Sequence, residues 1–353
     1  MKLDLLRQKF YLWGAKKTIM NKNLIFTLLS TIFIFSACST DFELEAEWKD
    51  IPIVYSFLSV QDTAHYVRVE KAFLEPGGNA LEIAKVTDSI YYQNLTVELE
   101  NLTTNQTFVM ERVDGSGEGY PKEEGIFANE PNVLYKLRAS QVPFGEGDSI
   151  RLVLYRGDEV EPATAELAVV GEIEASRFSP PARITTTRFG SPVQIAWTPD
   201  EHARIFDLRF VFNYLERLPG EAGFSPKSAV WVINRSVTIP DGNNSTLTYE
   251  AGWESFYQAL ATQISAVEGA ERVFESMDLA ITGAGEALYQ FVRVSRANIG
   301  ITSAQSTPTY SNVEGGLGIA TSRYTTVRQG IVLDREALDS LRTGIYTKNL
   351  GFE

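Results

Sequence analysis

Apolar and polar residues alternate along most of this chain. From Ile51 onward the alternation has period two: Ile53, Tyr55 and Phe57 share one side, and Tyr66-Val67-Arg68-Val69 and Leu95-Thr96-Val97-Glu98-Leu99 repeat the rhythm. Thr107–Met110, Tyr135–Leu137 and Ile150–Leu154 continue it. Successive side chains of a strand point to opposite faces, so such runs predict half-buried strands. Glu75–Asn79, Asn101–Asn105 and Phe144–Asp148 separate them with turn-forming residues. Short alternating strands at this spacing predict an antiparallel sandwich over residues 51–170, with at most one helical turn at Ala80–Lys85.

A second set follows Gly171–Pro181, where Pro180-Pro181 stiffens the boundary. Val193-Gln-Ile-Ala-Trp197-Thr-Pro-Asp200 leads through a turn into Ile205–Phe212, and Val230–Ile233 and Ser236–Ile239 come next. Two stretches change period. Trp253, Phe256, Tyr257, Leu260 and Ile264 recur at helical spacing after Gly252, predicting a helix near 253–265. Leu288, Phe291, Val292 and Ser295 do so after Gly285, predicting a helix near 285–296, although Tyr289–Val294 also fits a strand. Their aromatics read as core. Thr325–Leu333 reads as a strand and Arg335–Leu341 as a short helix. The expected fold is mainly β, two immunoglobulin- or fibronectin-III-like sandwiches spanning 51–170 and 171–353. The second carries the helices.

Residues 1–37 are excluded from that fold. Leu24–Phe35 is an unbroken apolar run apart from Thr and Ser, preceded by Met20-Asn-Lys22 and followed by Ser36-Ala37-Cys38. A cationic start, a hydrophobic segment and small residues before a cut are the order of a secretory signal. The run is short of the about 20 apolar residues a spanning helix needs. Met20 is the expected start, because the 19 residues before it, with five Lys/Arg, would delay the hydrophobic segment. Cys38 is the sole cysteine, so no disulfide can form within the chain.

Charge narrows the function classes. The 353 residues carry a net charge of −13. Residues 1–37 hold six of the basic residues and one of the acidic; the remainder keeps 26 basic and 44 acidic, net −18. Such a surface repels phosphates, so no nucleic-acid partner is expected. Residues 38–50 are polar and acidic and read as a tether.

Little reactive chemistry is visible. His65 and His202 are isolated, no His-Glu-x-x-His run occurs, and the expected number of metals and cofactors is none. Gly-x-Ser-x-Gly is missing. Asp114–Glu124 has the oxygen spacing of the start of a calcium loop but Gly125 at the closing position, and reads as a plain hairpin loop. Gly315-Gly316-Leu-Gly318 lacks the third glycine and the βαβ setting of a dinucleotide loop; the glycines read as a tight bend where backbones pass closely, capped by Asn312.

Five resemblances complete this reading. Ser36-Ala37-Cys38 resembles the lipobox of bacterial lipoproteins, with Phe35 in place of the usual Leu. That resemblance implies signal cleavage between Ala37 and Cys38, acylation of Cys38, and a membrane partner reached through lipid. The acidic residues just after it are similar to the surface-export tag of Bacteroidota lipoproteins. Tyr310–Ile319, with His65–Phe73, resembles a Bacteroidota family of outer-membrane lipoproteins of unknown function. It implies a β-sandwich protein at the outer membrane, on its surface or periplasmic face, of a kind often encoded near TonB-dependent receptors, which makes an outer-membrane receptor the first candidate partner. It implies no catalytic residues. The Val193–Phe212 pair is similar to strands B and C of fibronectin type III domains. Asp62-Thr63-Ala64, Asp88-Ser89-Ile90, Asp148-Ser149-Ile150 and Asp339-Ser340-Leu341 are similar to the acceptor of the Bacteroidota O-glycosylation system, making Thr63, Ser89, Ser149 and Ser340 candidate acceptors. The functional expectation is a non-catalytic lipoprotein that binds a partner protein or nutrient. A glycan or peptide hydrolase and a structural envelope component are the alternatives.

Overall fold

The strand β12 (Ile205–Arg217) shows how the sequence builds the molecule. Phe206, Leu208, Phe210, Phe212 and Tyr214 are buried, and the residues between them are half-exposed. Each buried side chain of this size contributes about 1.5–3 kcal/mol relative to exposure. The computed structural model describes residues 51–72, 80–128, 130–157, 159–176, 183–184, 192–239, 245–297 and 309–353. Residues 1–50, which include Ala37 and Cys38, together with residues 73–79 and Pro180-Pro181, lie outside those residues.

The first half contains β1 (Pro52–Leu58), β2 (Ala64–Lys71), helical turns α1 (Ala80–Ile83) and α2 (Thr87–Ile90), β3 (Thr96–Asn101), β4 (Gln106–Val109), β5 (Glu111–Asp114), β6 (Val133–Arg138), β7 (Ser149–Tyr155) and β8 (Ala163–Ala168). The second contains β9 (Glu174–Ala175), β10 (Arg183–Ile184), β11 (Val193–Thr198), β12, β13 (Ser225–Thr238), β14 (Leu247–Ala251), α3 (Trp253–Gln263), β15 (Glu271–Ala284), α4 (Glu286–Ala297), β16 (Val313–Glu314), β17 (Leu317–Leu333) and α5 (Arg335–Thr343).

Two β-sandwiches result. In the first, the face of β1, β2 and β6 packs on the sheet β16-β8-β7-β3-β4, with Val54, Leu58, Val67, Val97, Leu99, Ile150 and Leu152 fully buried between them. In the second, β14-β11-β9 packs against β13-β12-β15-β17. Lettered in chain order, this is E-B-A facing C′-C-F-G, the strand order of a fibronectin type III domain. Trp197 on the B strand is fully buried, with its ring 5.4 Å from that of Phe206 on the C strand.

Both longer helices cover sheet. Phe256 and Leu260 of α3 enter the second core, and Phe256 lies 5.5 Å from Trp231 and 5.8 Å from Phe212. Residues 286–297 are helical, so the strand alternative for Tyr289–Val294 does not hold; Gly285 ends the preceding strand and the apolar residues after it repeat at helical intervals. The Asp334 carboxylate caps α5 by accepting from the Ala337 N–H at 2.8 Å.

The strand β17 belongs to both sandwiches. Leu317–Ser322 pair in parallel with Ile53–Leu58 of β1, whereas Arg323–Ile331 pair antiparallel with β15. Ala320 of β17 therefore joins the first core, and Ile331 and Leu333 the second. The residues from Lys49 to Glu353 form one compact unit. The boundary near 170 divides the two cores, and the last long strand crosses it.

Candidate functional site

The crossing point of β17 is where the chemistry gathers. Gly315 (φ +71) and Gly316 bend the chain from β16, in the five-stranded sheet, to β17 in the large one. A Cβ on Gly316 would meet the Pro52 carbonyl at 2.8 Å, and one on Gly318 (φ +109) the Val54 carbonyl at 2.0 Å. The two backbones can approach only because these positions carry no side chain. Asn312 completes the bend. Its Oδ1 accepts from the Ala320 N–H at 3.0 Å, and its Nδ2 donates to the Ala320 carbonyl at 2.8 Å and the Glu166 carbonyl at 3.3 Å. One amide side chain thus takes the place of a neighbouring strand.

Beside this bend lies a cleft of about 370 Å³, between β8, the turn joining β11 to β12, and the start of α4. Its lining includes Glu166, His202, Arg204, Glu286, Tyr310 and Thr321. The turn is rigid: the Asp200 carboxylate accepts from the His202 N–H at 2.9 Å, and Arg204 N–H donates to the Ala284 carbonyl at 2.8 Å. The Arg204 Nη1 donates to the Glu201 and Ala203 carbonyls at 2.6 and 2.9 Å, and its Nε sits 3.6 Å from the Glu286 carboxylate. Glu286 also accepts from Gln290. Across the cleft, Glu166 accepts from Arg151 at 2.7 and 2.9 Å. Burial, then the nearby Glu286 charge, raises the Tyr310 phenol above its ordinary value.

Thr321 differs from these paired groups. It is 1% exposed, and its Oγ1 has no hydrogen-bond partner among the described residues. A Cβ on Gly285, just ahead of α4, would come within 3.1 Å of that oxygen. The neighbouring Ser322 hydroxyl is satisfied, donating to the Ala168 carbonyl at 2.6 Å and accepting from Val170 N–H at 2.9 Å.

The candidate acceptors are not brought together. Thr63 is exposed in the β1–β2 turn. Ser89 is half-buried in α2, and Ser149 half-buried at the start of β7, where it also lines the cleft. Ser340 donates to the Glu336 carbonyl at 2.9 Å inside α5. In the Asp114–Glu124 loop, Asp114 accepts from Ser116 and Asn132 N–H groups at 3.0 and 3.1 Å. Glu118 pairs with Lys136 and accepts from the Tyr66 hydroxyl; hydrogen bonds from Lys136, then Tyr66, hold its carboxyl below the usual range. The fold's own donors occupy both side chains. Among the described residues, no group of three or more His, Cys, Asp or Glu is placed to hold a metal.

His202 was visible in the sequence as an isolated histidine; Arg204, Glu286 and Thr321 carried no local signal. The cleft draws on residues from Ser149 to Thr321, so no spacing rule marks it.

No family model and no curated protein matches this chain. Solved structures give distant likenesses. One is the C-terminal globular domain of an oligosaccharyltransferase from Pyrococcus abyssi, with 14% identity and a TM-score of 0.19, covering 57% of this chain and 39% of that one. The FN1-FN3 domains of chicken CNTN1 have 8% identity and a TM-score of 0.17, covering 80% and 65%. The calcium binding domain CBD12 of CALX1.1 has 10% identity and a TM-score of 0.17, covering 80% and 99%. The strand order, rather than these likenesses, defines the sandwich architecture.

Proposed function

We propose that this protein is a lipoprotein held at the outer membrane through acylated Cys38, and that it works by binding a nutrient ligand or a partner protein without catalysis. The observation that carries the anchor is the run Leu24–Phe35 ending in Ser36-Ala37-Cys38. Two or more acyl chains on one cysteine hold a membrane durably, at ~0.8 kcal/mol per buried methylene, so no spanning segment is required. Among the described residues no helix is long and apolar enough to cross a membrane. Binding is supported by the cleft, whose polar side chains converge in a rigid setting. An outer-membrane receptor of the TonB-dependent type is the partner to test, and Thr63 is the most exposed of the four glycosylation candidates.

A hydrolase reading has one observation in its favour: Glu166 and Glu286 both line the cleft. Their side chains are 57% and 55% exposed, and each faces an arginine.

The decisive experiment follows radiolabelled palmitate into the protein. Wild type should be labelled and should sediment with outer membranes, and Cys38→Ser should do neither. Equal membrane recovery of both, unchanged by globomycin, would refute the anchor. Pull-down from mildly solubilised membranes tests the receptor.

A further inference from the structure

We infer that the cleft beside β17 is a binding site for a neutral saccharide; this rests on the binding reading above and names the ligand class. Thr321 supplies the first ground. A buried hydroxyl without a partner carries a desolvation cost of about 1–3 kcal/mol, so its retention at the floor of a cleft points to a partner from outside the chain. Gly285 supplies the second. Any larger residue there would place its Cβ 3.1 Å from Thr321 Oγ1, so glycine is what keeps a side chain off that hydroxyl, at the N-terminal end of a 12-residue helix.

The remaining walls select the charge. An anion would suit a helix N-terminus and the Arg204 guanidinium. Glu286 already stands in that first turn against Arg204, and Glu166 closes the opposite side. A cation would meet Arg204 and the positive end of the helix dipole. Ligand hydroxyls donate and accept at once. They can therefore give to Glu166 and Glu286, receive from Arg204, and pair in either sense with Thr321. The volume of about 370 Å³ lies at the lower end of the range for small-molecule sites, as a short sugar requires.

The test is calorimetric titration of the mature lipidated protein in detergent with glucose, galactose, N-acetylglucosamine and maltose, alongside inorganic phosphate and ethanolamine. Hydrogen exchange is read at 284–290 and 318–324. At least one sugar should bind and slow exchange in both segments. Thr321→Val, which keeps the shape and removes the hydroxyl, should weaken that binding about tenfold. Arg204→Ala should weaken it further. Phosphate or ethanolamine binding in preference to every sugar would overturn the assignment, as would sugar binding unchanged in both variants, or none at all. None of those results touches the lipid anchor, which palmitate labelling reads separately. New reducing ends released from maltose would keep the saccharide site and refute the non-catalytic reading.

Discussion

Arg272 and Glu216 meet as partners across β12 and β15, 2.7 Å apart, with the guanidinium 1% exposed. Arg272 also donates to the Leu350 carbonyl and, at 3.1 Å, to that of Ser265, so one side chain ties the C-terminal segment to the second core. Removing one member of such a pair strands a buried charge, at a cost of about 3–5 kcal/mol. Arg272→Met should lower the urea midpoint accordingly. The double variant with Glu216→Leu should recover a large part of the loss, because no charge is then left unpaired.

Gly318→Ala places a methyl group 2.0 Å from the Val54 carbonyl at φ +109. Backbone strain of this kind costs about 1–3 kcal/mol, and the clash adds to it. The variant should unfold at lower denaturant and lose exchange protection along β1. Gly125→Ala, whose Cβ would have its nearest neighbour at 4.0 Å, is the control and should behave as wild type.

Asn312→Ala removes both bonds to Ala320 and leaves the Ala320 N–H and carbonyl without partners. The expected cost is about 1–3 kcal/mol, with faster exchange at Ala320. Asn312→Asp keeps the acceptor and turns the donor into a second acceptor against a carbonyl, so it should also destabilise.

His65 is buried on β2, its ring 4.8 Å from Phe144 and its Nδ1 without a partner among the described residues. Burial lowers its pKa from 6.5, against an opposing pull from Asp62. The unfolded chain therefore binds a proton more readily than the folded one. The contribution is complete above about pH 6.5 and is lost as pH falls from there through the lower folded value. Wild type should lose stability between pH 7 and pH 5 relative to His65→Phe, and matched denaturant melts at the two pH values would show it. Parallel pH profiles would refute the claim.

The second sandwich was readable because its signals are local. Trp197, the Asp200 turn and the unbroken alternation of β12 each lie within a dozen residues, and Gly252 and Gly285 mark where the period changes. Val230–Ile233 and Ser236–Ile239 read as two strands, yet Ser225–Thr238 is one strand whose register with β12 shifts near Leu208; a bulge breaks the alternation without ending the strand. The double allegiance of β17 was not readable. Alternation leaves a strand's neighbours unspecified, and in β1 it also named the wrong face, since Tyr55 and Phe57 are exposed while Val54 and Leu58 are buried; the parallel pair joins residues more than 250 positions apart. The cleft escaped for the same reason: Thr321 is an ordinary threonine until Gly285 is laid over it.

Because Leu317–Ser322 form the strand beside β1, the first sandwich is assembled with the help of a segment made more than 250 residues later. A ribosome must add more than 250 further residues before Ile53–Leu58 gain that neighbour. Molecules truncated short of residue 317 should therefore expose β1 as an unzipped edge.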